Sequence, residues 1–128
     1  MLTEINLALT ALVFVAFGLW GLLAPRNMVG SLGIAFTAPS GVTAIRATYG
    51  GFLIGSGLLF GLAAWDPRMH GFGLAALGIV VGAILASRLF GMVVDGGRAA
   101  IQLTYAGIEI ASLIFTGLCL HVDFGWIG

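Results

Sequence analysis

The sequence predicts an all-α fold: an integral membrane four-helix bundle with short hairpins and one longer first connection. Three observations carry this expectation. The 128 residues are 60% hydrophobic and 8% charged, where an ordinary soluble domain has about a quarter of its residues charged. Four apolar stretches recur, each long enough for a membrane-spanning helix of about 20 to 25 residues, and together they use most of a single domain over 1-128. Between them stand Pro25, Pro39, Asp66-Pro67-Arg68 and Asp95-Gly-Gly-Arg98, residues that end helices or turn the chain.

The first helix is expected at about 5-24, stopped by Pro25. Met1 to Asn6 carries Glu4 and no Lys or Arg. A cleavable signal peptide needs a basic start and a shorter apolar core, so this segment is expected to remain as a helix. Asn6 and Thr10 give it a weak polar face, expected to hydrogen-bond to neighbouring helices or to lie at the interface. Trp20 falls near its far end, where membrane aromatics gather. Pro25 to Gly41 is the longer connection. Met28, Val29, Leu32 and Phe36 either form one apolar side of a short helix in the headgroup region or belong to an irregular loop.

The second helix is expected at about 42-65, with Ser40 as its N-cap. Thr43, Arg46, Gly50, Leu53, Gly57, Gly61 and Ala64 share one face, a groove of small residues that another backbone can approach. Gly51–Gly55 and Gly57–Gly61 match the small-xxx-small pattern, although 21 glycines make such matches common. Gly55-Ser-Gly57 lacks the strand-turn-helix context of a nucleotide fingerprint. The third helix, about 69-94, follows the Asp66-Pro67-Arg68 turn and places Gly71, Ala75, Gly78, Gly82 and Leu89 on one face. At about 1.5 Å per residue it is nearly 40 Å long, so it tilts or projects beyond the hydrocarbon. The fourth, about 98-121, follows the Asp95–Arg98 hairpin, and an interfacial tail with Trp126 closes the chain.

Charge and cysteine usage narrow the function classes. Five arginines balance five acids, which excludes a broad basic surface for nucleic acid. Cys119 is the single cysteine, so an internal disulfide and a multi-cysteine metal site are excluded. His70 and His121 lack a second ligand at helical spacing, and no cofactor or metal is indicated. Arg26, Arg46, Arg88 and Arg98 belong to the end shared by the first and third connections, and Arg68 alone to the other. The positive-inside rule then places both termini outside the cytoplasm.

The fourth helix holds the most informative pattern. Gln102, Tyr105, Glu109, Ser112 and Thr116 recur at steps of 3, 4, 3 and 4, one face of an α-helix. A carboxylate there needs protein or a wet cavity around it. Counting inward, Arg46 lies about one turn deep, Arg88 about two and Glu109 about three, or roughly 16 Å. The expected polar network is Arg46, Tyr49, Arg88, Asp95, Arg98, Gln102, Tyr105 and Glu109. Arg46 is the favoured partner of Glu109, since it shares its face with Gly50 and Gly57, whereas Arg88 lies about 80 to 100° from the Gly78 and Gly82 face. A snorkelling Arg88 is the competing placement.

Such a network locks helices together, or its surplus positive charge suits an anionic lipid or ligand head, or Glu109 accepts a proton in a transport cycle. No Ser, Cys or His triad assembles at one depth, so an enzyme is not expected. The elements Arg46-Ala-Thr-Tyr-Gly-Gly-Phe-Leu-Ile-Gly55, Arg88-Leu-Phe-Gly91 followed by Asp95-Gly96, and Glu109 in the last helix resemble the bacterial membrane family known as domain of unknown function 4345, from the Pro25 connection onward. The resemblance implies four transmembrane helices in a bacterial inner (plasma) membrane and an uncharacterised role. A more distant similarity to DoxX-like four-helix membrane proteins is a hint about fold alone. The expected role is a small accessory or packing subunit of a larger membrane assembly. Its expected partners are the lipid bilayer, other integral membrane proteins or a second copy. The alternative is a small transporter or a binder of an anionic lipid or ligand, using Glu109 and the arginines.

Overall fold

The computed structural model describes residues 1–126. They form α1 (Leu2–Leu23), α2 (Pro25–Gly30), α3 (Pro39–Ile45), a π-helical stretch (Arg46–Phe52), α4 (Leu53–Trp65), a 3₁₀ turn (Pro67–Met69), α5 (His70–Val94) and α6 (Ala100–Phe124), with no strand among the described residues. Four helical spans, Leu2–Leu23, Pro39–Trp65, Pro67–Val94 and Ala100–Phe124, are long and apolar enough to cross a membrane. The protein is an all-α, multi-pass membrane protein.

The elements end where local chemistry ends them, with some shifts from expectation. The second span starts at Pro39, not after Ser40: Ala38 is extended at φ −153° and Pro39 occupies the first turn, where its missing N–H costs nothing. The last helix starts at Ala100 and continues to Phe124, three residues beyond His121. Gly125 stops it with φ 64°, its N–H bonded to His121 O at 3.0 Å, a left-handed conformation that glycine adopts without penalty. In the long connection a six-residue helix, α2, buries Met28 and Val29, and an irregular segment follows. Both readings of that stretch hold in part. Asp66 caps the turn after α4, accepting from Arg68 N at 3.0 Å and from its guanidinium. Those bonds, the side-chain one first, hold the Asp66 carboxyl below its usual range. The turn's contribution is therefore present above the ordinary carboxylate range and lost as pH falls through the lowered value.

The chain sorts into two compact units, residues 8–62 and residues 1–7 with 63–128. In the first, α1 runs antiparallel to the second span, and glycines bring the backbones together. A Cβ on Gly18 would stand 2.8 Å from Ile54 N, one on Gly21 2.7 Å from Tyr49 O, and one on Gly57 2.9 Å from Ala11 O. Phe14 and Phe60 meet edge to face at 5.4 Å. Gly50 and Gly57 lie on this approach, whereas Gly51 and Gly55 have nothing near them. The first small-xxx-small match thus makes no close helix approach within this unit. The π-helical stretch spans Arg-Ala-Thr-Tyr-Gly-Gly-Phe, where adjacent glycines weaken the α ladder. Each i→i+5 bond adds a residue to the turn, so α-helical counting across it loses phase.

In the second unit α5 and α6 pack antiparallel. Gly78 faces Thr116 and Gly71 faces Phe124, a Cβ on either glycine lying 3.9 and 3.8 Å away. Leu7, Leu74 and Leu77 are fully buried. Gly73 is the close approach here, its Cβ position 2.8 Å from the Ala63 Cβ.

Gly57→Ala is expected to destabilise the protein by about 1–3 kcal/mol through overpacking against the α1 backbone. Gly55→Ala is expected to be neutral or to stabilise by up to about 1 kcal/mol through helix propensity. Unfolding of both variants in the same mild detergent measures the difference, and equal midpoints would contradict the packing described.

Candidate functional site

The site is built by two helices of one unit. On α6, Gln102, Tyr105 and Glu109 follow one another at helical spacing on the covered face, where Ala106 and Thr116 are buried. On α5, Arg88 is one heptad beyond the buried Val81 and two beyond Leu74, which places all three on the same face. Antiparallel packing then brings Arg88 opposite Glu109.

The contact is charge-assisted and forked. Arg88 Nε donates to Glu109 Oε1 and Oε2 at 3.1 and 3.0 Å, and its Nη2 donates to Oε1 at 2.6 Å. Arg88 Nη1 donates to Gln102 Oε1. The Tyr105 ring lies under the guanidinium, 5.3 Å from its centroid to Cζ, a cation–π placement. The Arg88 and Glu109 side chains keep 20% and 13% of their exposure. Inserted alone, each charge costs about 2.5–3.5 kcal/mol near the middle of a span. Together they sum to zero charge, and the planar guanidinium matches the carboxylate fork. Ala83, Ile84, Ser87 and Arg88 line an open groove of about 430 Å³ beside the pair.

The six expected members that lie in the unit of α5 and α6 are not one cluster. Arg88, Gln102, Tyr105 and Glu109 come together. Arg98 Nε instead donates to Met92 O at 3.3 Å, and Asp95 lies exposed in the same hairpin. Among the described residues neither of these two is bonded to the pair. Arg46 and Tyr49 belong to the other unit, within residues 8–62. There Arg46 donates to Leu22 O, one of the carbonyls left without a helical partner at the end of α1, and Tyr49 is exposed. Within its own unit Glu109 takes its bonds from Arg88, the less favoured of its two expected partners. Of the glycine face expected on α5, Gly78 meets Thr116, whereas no atom lies within 4 Å of a Cβ on Gly82.

The polar stripe of α6 also divides. Its far half joins the start of α1: Asn6 Nδ2 donates to Thr116 Oγ1 at 3.1 Å and lies 3.8 Å from Cys119 Sγ. Thr3 N and Oγ1 donate to Asp123 Oδ2 at 3.0 and 2.6 Å. Thr3, Asn6 and Thr116 are all buried, so this second cluster ties α1 to α6. Asp123 was the missed member, because it sat in what reads as a tail. Thr3, at an i−3 spacing from Asn6, was its available signal. His70 contacts Ala64 O at 3.2 Å, and no three His, Cys, Asp or Glu gather as metal ligands among the described residues.

A family model described as Domain of unknown function (DUF4345) matches residues 2–120. The chain belongs to that family, and the match includes the first helix as well as the elements after Pro25. Comparison with curated proteins and with solved structures returned no match.

Arg88→Gln and Glu109→Gln are each expected to cost about 3–5 kcal/mol, because each strands one charge. The double variant is expected to cost clearly less than the sum of the two. A double-mutant cycle on unfolding in detergent reads the coupling, and strict additivity would mean that the two charges are solvated separately.

Proposed function

We propose that this family member is a small accessory subunit of the bacterial inner membrane, not an enzyme, which packs against other integral membrane proteins through α5. One observation carries the reading. The Arg88–Glu109 pair sits about six residues, or roughly 9 Å, inside the end of α5 and retains exposure beside the open groove of Ala83, Ile84 and Ser87. Hydrocarbon is a poor cover for a charged pair, and a polar side chain on a partner helix is a good one. The small lining residues Ala83 and Ser87 suit close helix approach.

A transport role for Glu109 draws less support, since both carboxylate oxygens are occupied by Arg88 and a proton carrier must exchange its partner. The reading places both termini outside the cytoplasm, on the four-to-one arginine asymmetry between the chain's connections.

A photo-crosslinking residue in place of Ile84 should yield one discrete protein adduct of fixed mass in membranes, and the same residue in place of Ile114, which is 62% exposed on α6, should yield none. Lipid adducts alone at both positions would overturn the subunit reading. Proton flux in liposomes that disappears in Glu109→Gln, with helix content intact, would replace it with transport. For topology, a reporter fused after the last residue should be active outside the cytoplasm, and cytoplasmic activity would reverse the orientation.

A further inference from the structure

We infer that Arg26 and Arg46 form a site for the phosphate of an anionic phospholipid, at the end of α1. Residues 8–62 contain these two arginines and no Asp, Glu, Lys or His. Their charge therefore has no counter-charge within the unit. Both arginines are held at the same helix end: Arg46 donates to Leu22 O, and Arg26 follows the last residue of α1, Leu23, by three. Arg26 sits in the short helix anchored by the buried Met28 and Val29. Its Cζ lies 5.7 Å from the centroid of the Phe36 ring, and Arg26, Phe36, Thr37, Ala38 and Pro39 line an open cleft of about 190 Å³. Both arginines are exposed.

A guanidinium carries five N–H donors. Arg46 uses one on Leu22 O, and the cation–π contact of Arg26 occupies the face of its guanidinium, leaving the N–H edge for an anion. The site stands where a spanning helix ends, and Arg46 lies seven residues, about 10 Å, into the second span. That is the depth at which arginines reach the phosphate layer of a bilayer. A phospholipid is favoured over free phosphate because apolar surface adjoins the charges: Leu23 is 73% and Ile34 46% exposed at this end, and acyl chains cover such surface. This site lies wholly within residues 8–62 and does not rest on the subunit reading.

The test is native mass spectrometry of the full chain released from mild detergent with equal amounts of phosphatidylglycerol and phosphatidylcholine. The protein is expected to retain phosphatidylglycerol in preference. Each arginine near the membrane surface contributes about fivefold, so Arg26→Gln should reduce the preference about fivefold and Arg26→Gln with Arg46→Gln about thirtyfold. The Arg26→Lys and Arg46→Lys pair should keep most of it. Among the described residues the Arg26 side chain has no hydrogen bond to α1, so its single variant gives a reading even where loss of the Arg46–Leu22 bond impairs folding. An unchanged preference in Arg26→Gln with helix content intact would overturn the site. Equal retention of the two lipids by the unaltered protein would do the same, and so would thermal stabilisation by inorganic phosphate as large as that by phosphatidylglycerol.

Discussion

A carboxylate and a guanidinium inside apolar spans need each other, and the Arg88–Glu109 bond is the constraint to which α5 and α6 answer. The forked contact demands that α5 and α6 run antiparallel in one register, because a shift of one residue on either helix rotates its charge by about 100° away from the other. The leucines of α5 and the small residues of α6 allow many nearly equivalent packings in lipid, where burial of apolar surface gives no preference between them. A single charged pair removes that degeneracy. Gln102 and Tyr105 then complete the solvation of Arg88, which otherwise keeps unmet N–H donors in a medium without water.

Residues 8–62 use a different device. Here α1 and the second span meet through Gly18, Gly21, Gly50 and Gly57, and close backbone approach takes the place of polar bonding. A polar link between the two, Arg46 to Leu22 O, satisfies a helix end and leaves most of the guanidinium available.

The architecture was legible because lipid imposes it. Four apolar runs separated by Pro25, the Asp66 turn and the Asp95 hairpin leave few alternatives, and the three helices that end at those breaks stop at Leu23, Trp65 and Val94, each within a residue of expectation. The α6 stripe was legible for the same reason: Gln102, Tyr105 and Glu109 on one face of an apolar helix require cover. What was not legible was which arginine supplies it. Helical phase predicts a face, but which face of α5 makes contact depends on Leu7, Leu74 and Leu77 filling the interior, and of the two glycines that look like a contact surface only Gly78 meets α6, at Thr116, while Gly82 meets nothing. The π-helical stretch at Arg46–Phe52 is likewise silent in sequence, since Gly50 and Gly51 permit it without requiring it. Asp123 was hidden by its position after His121, where the chain reads as an interfacial tail.

Membership of the family of unknown function accounts for the apolar spans without assigning chemistry to them. The chemistry must come from the pair itself, and the central claim is that it fixes α5 against α6. Exchanging the charges, Arg88→Glu with Glu109→Arg, tests it most directly. Each single reversal places two like charges together and should abolish the folded, monodisperse protein in detergent. The exchanged pair should recover it, with unfolding within about 1–2 kcal/mol of the unaltered chain, the remaining loss being the Gln102 and Tyr105 contacts that the exchange misplaces. An exchanged protein no more stable than the worse single reversal would contradict the claim.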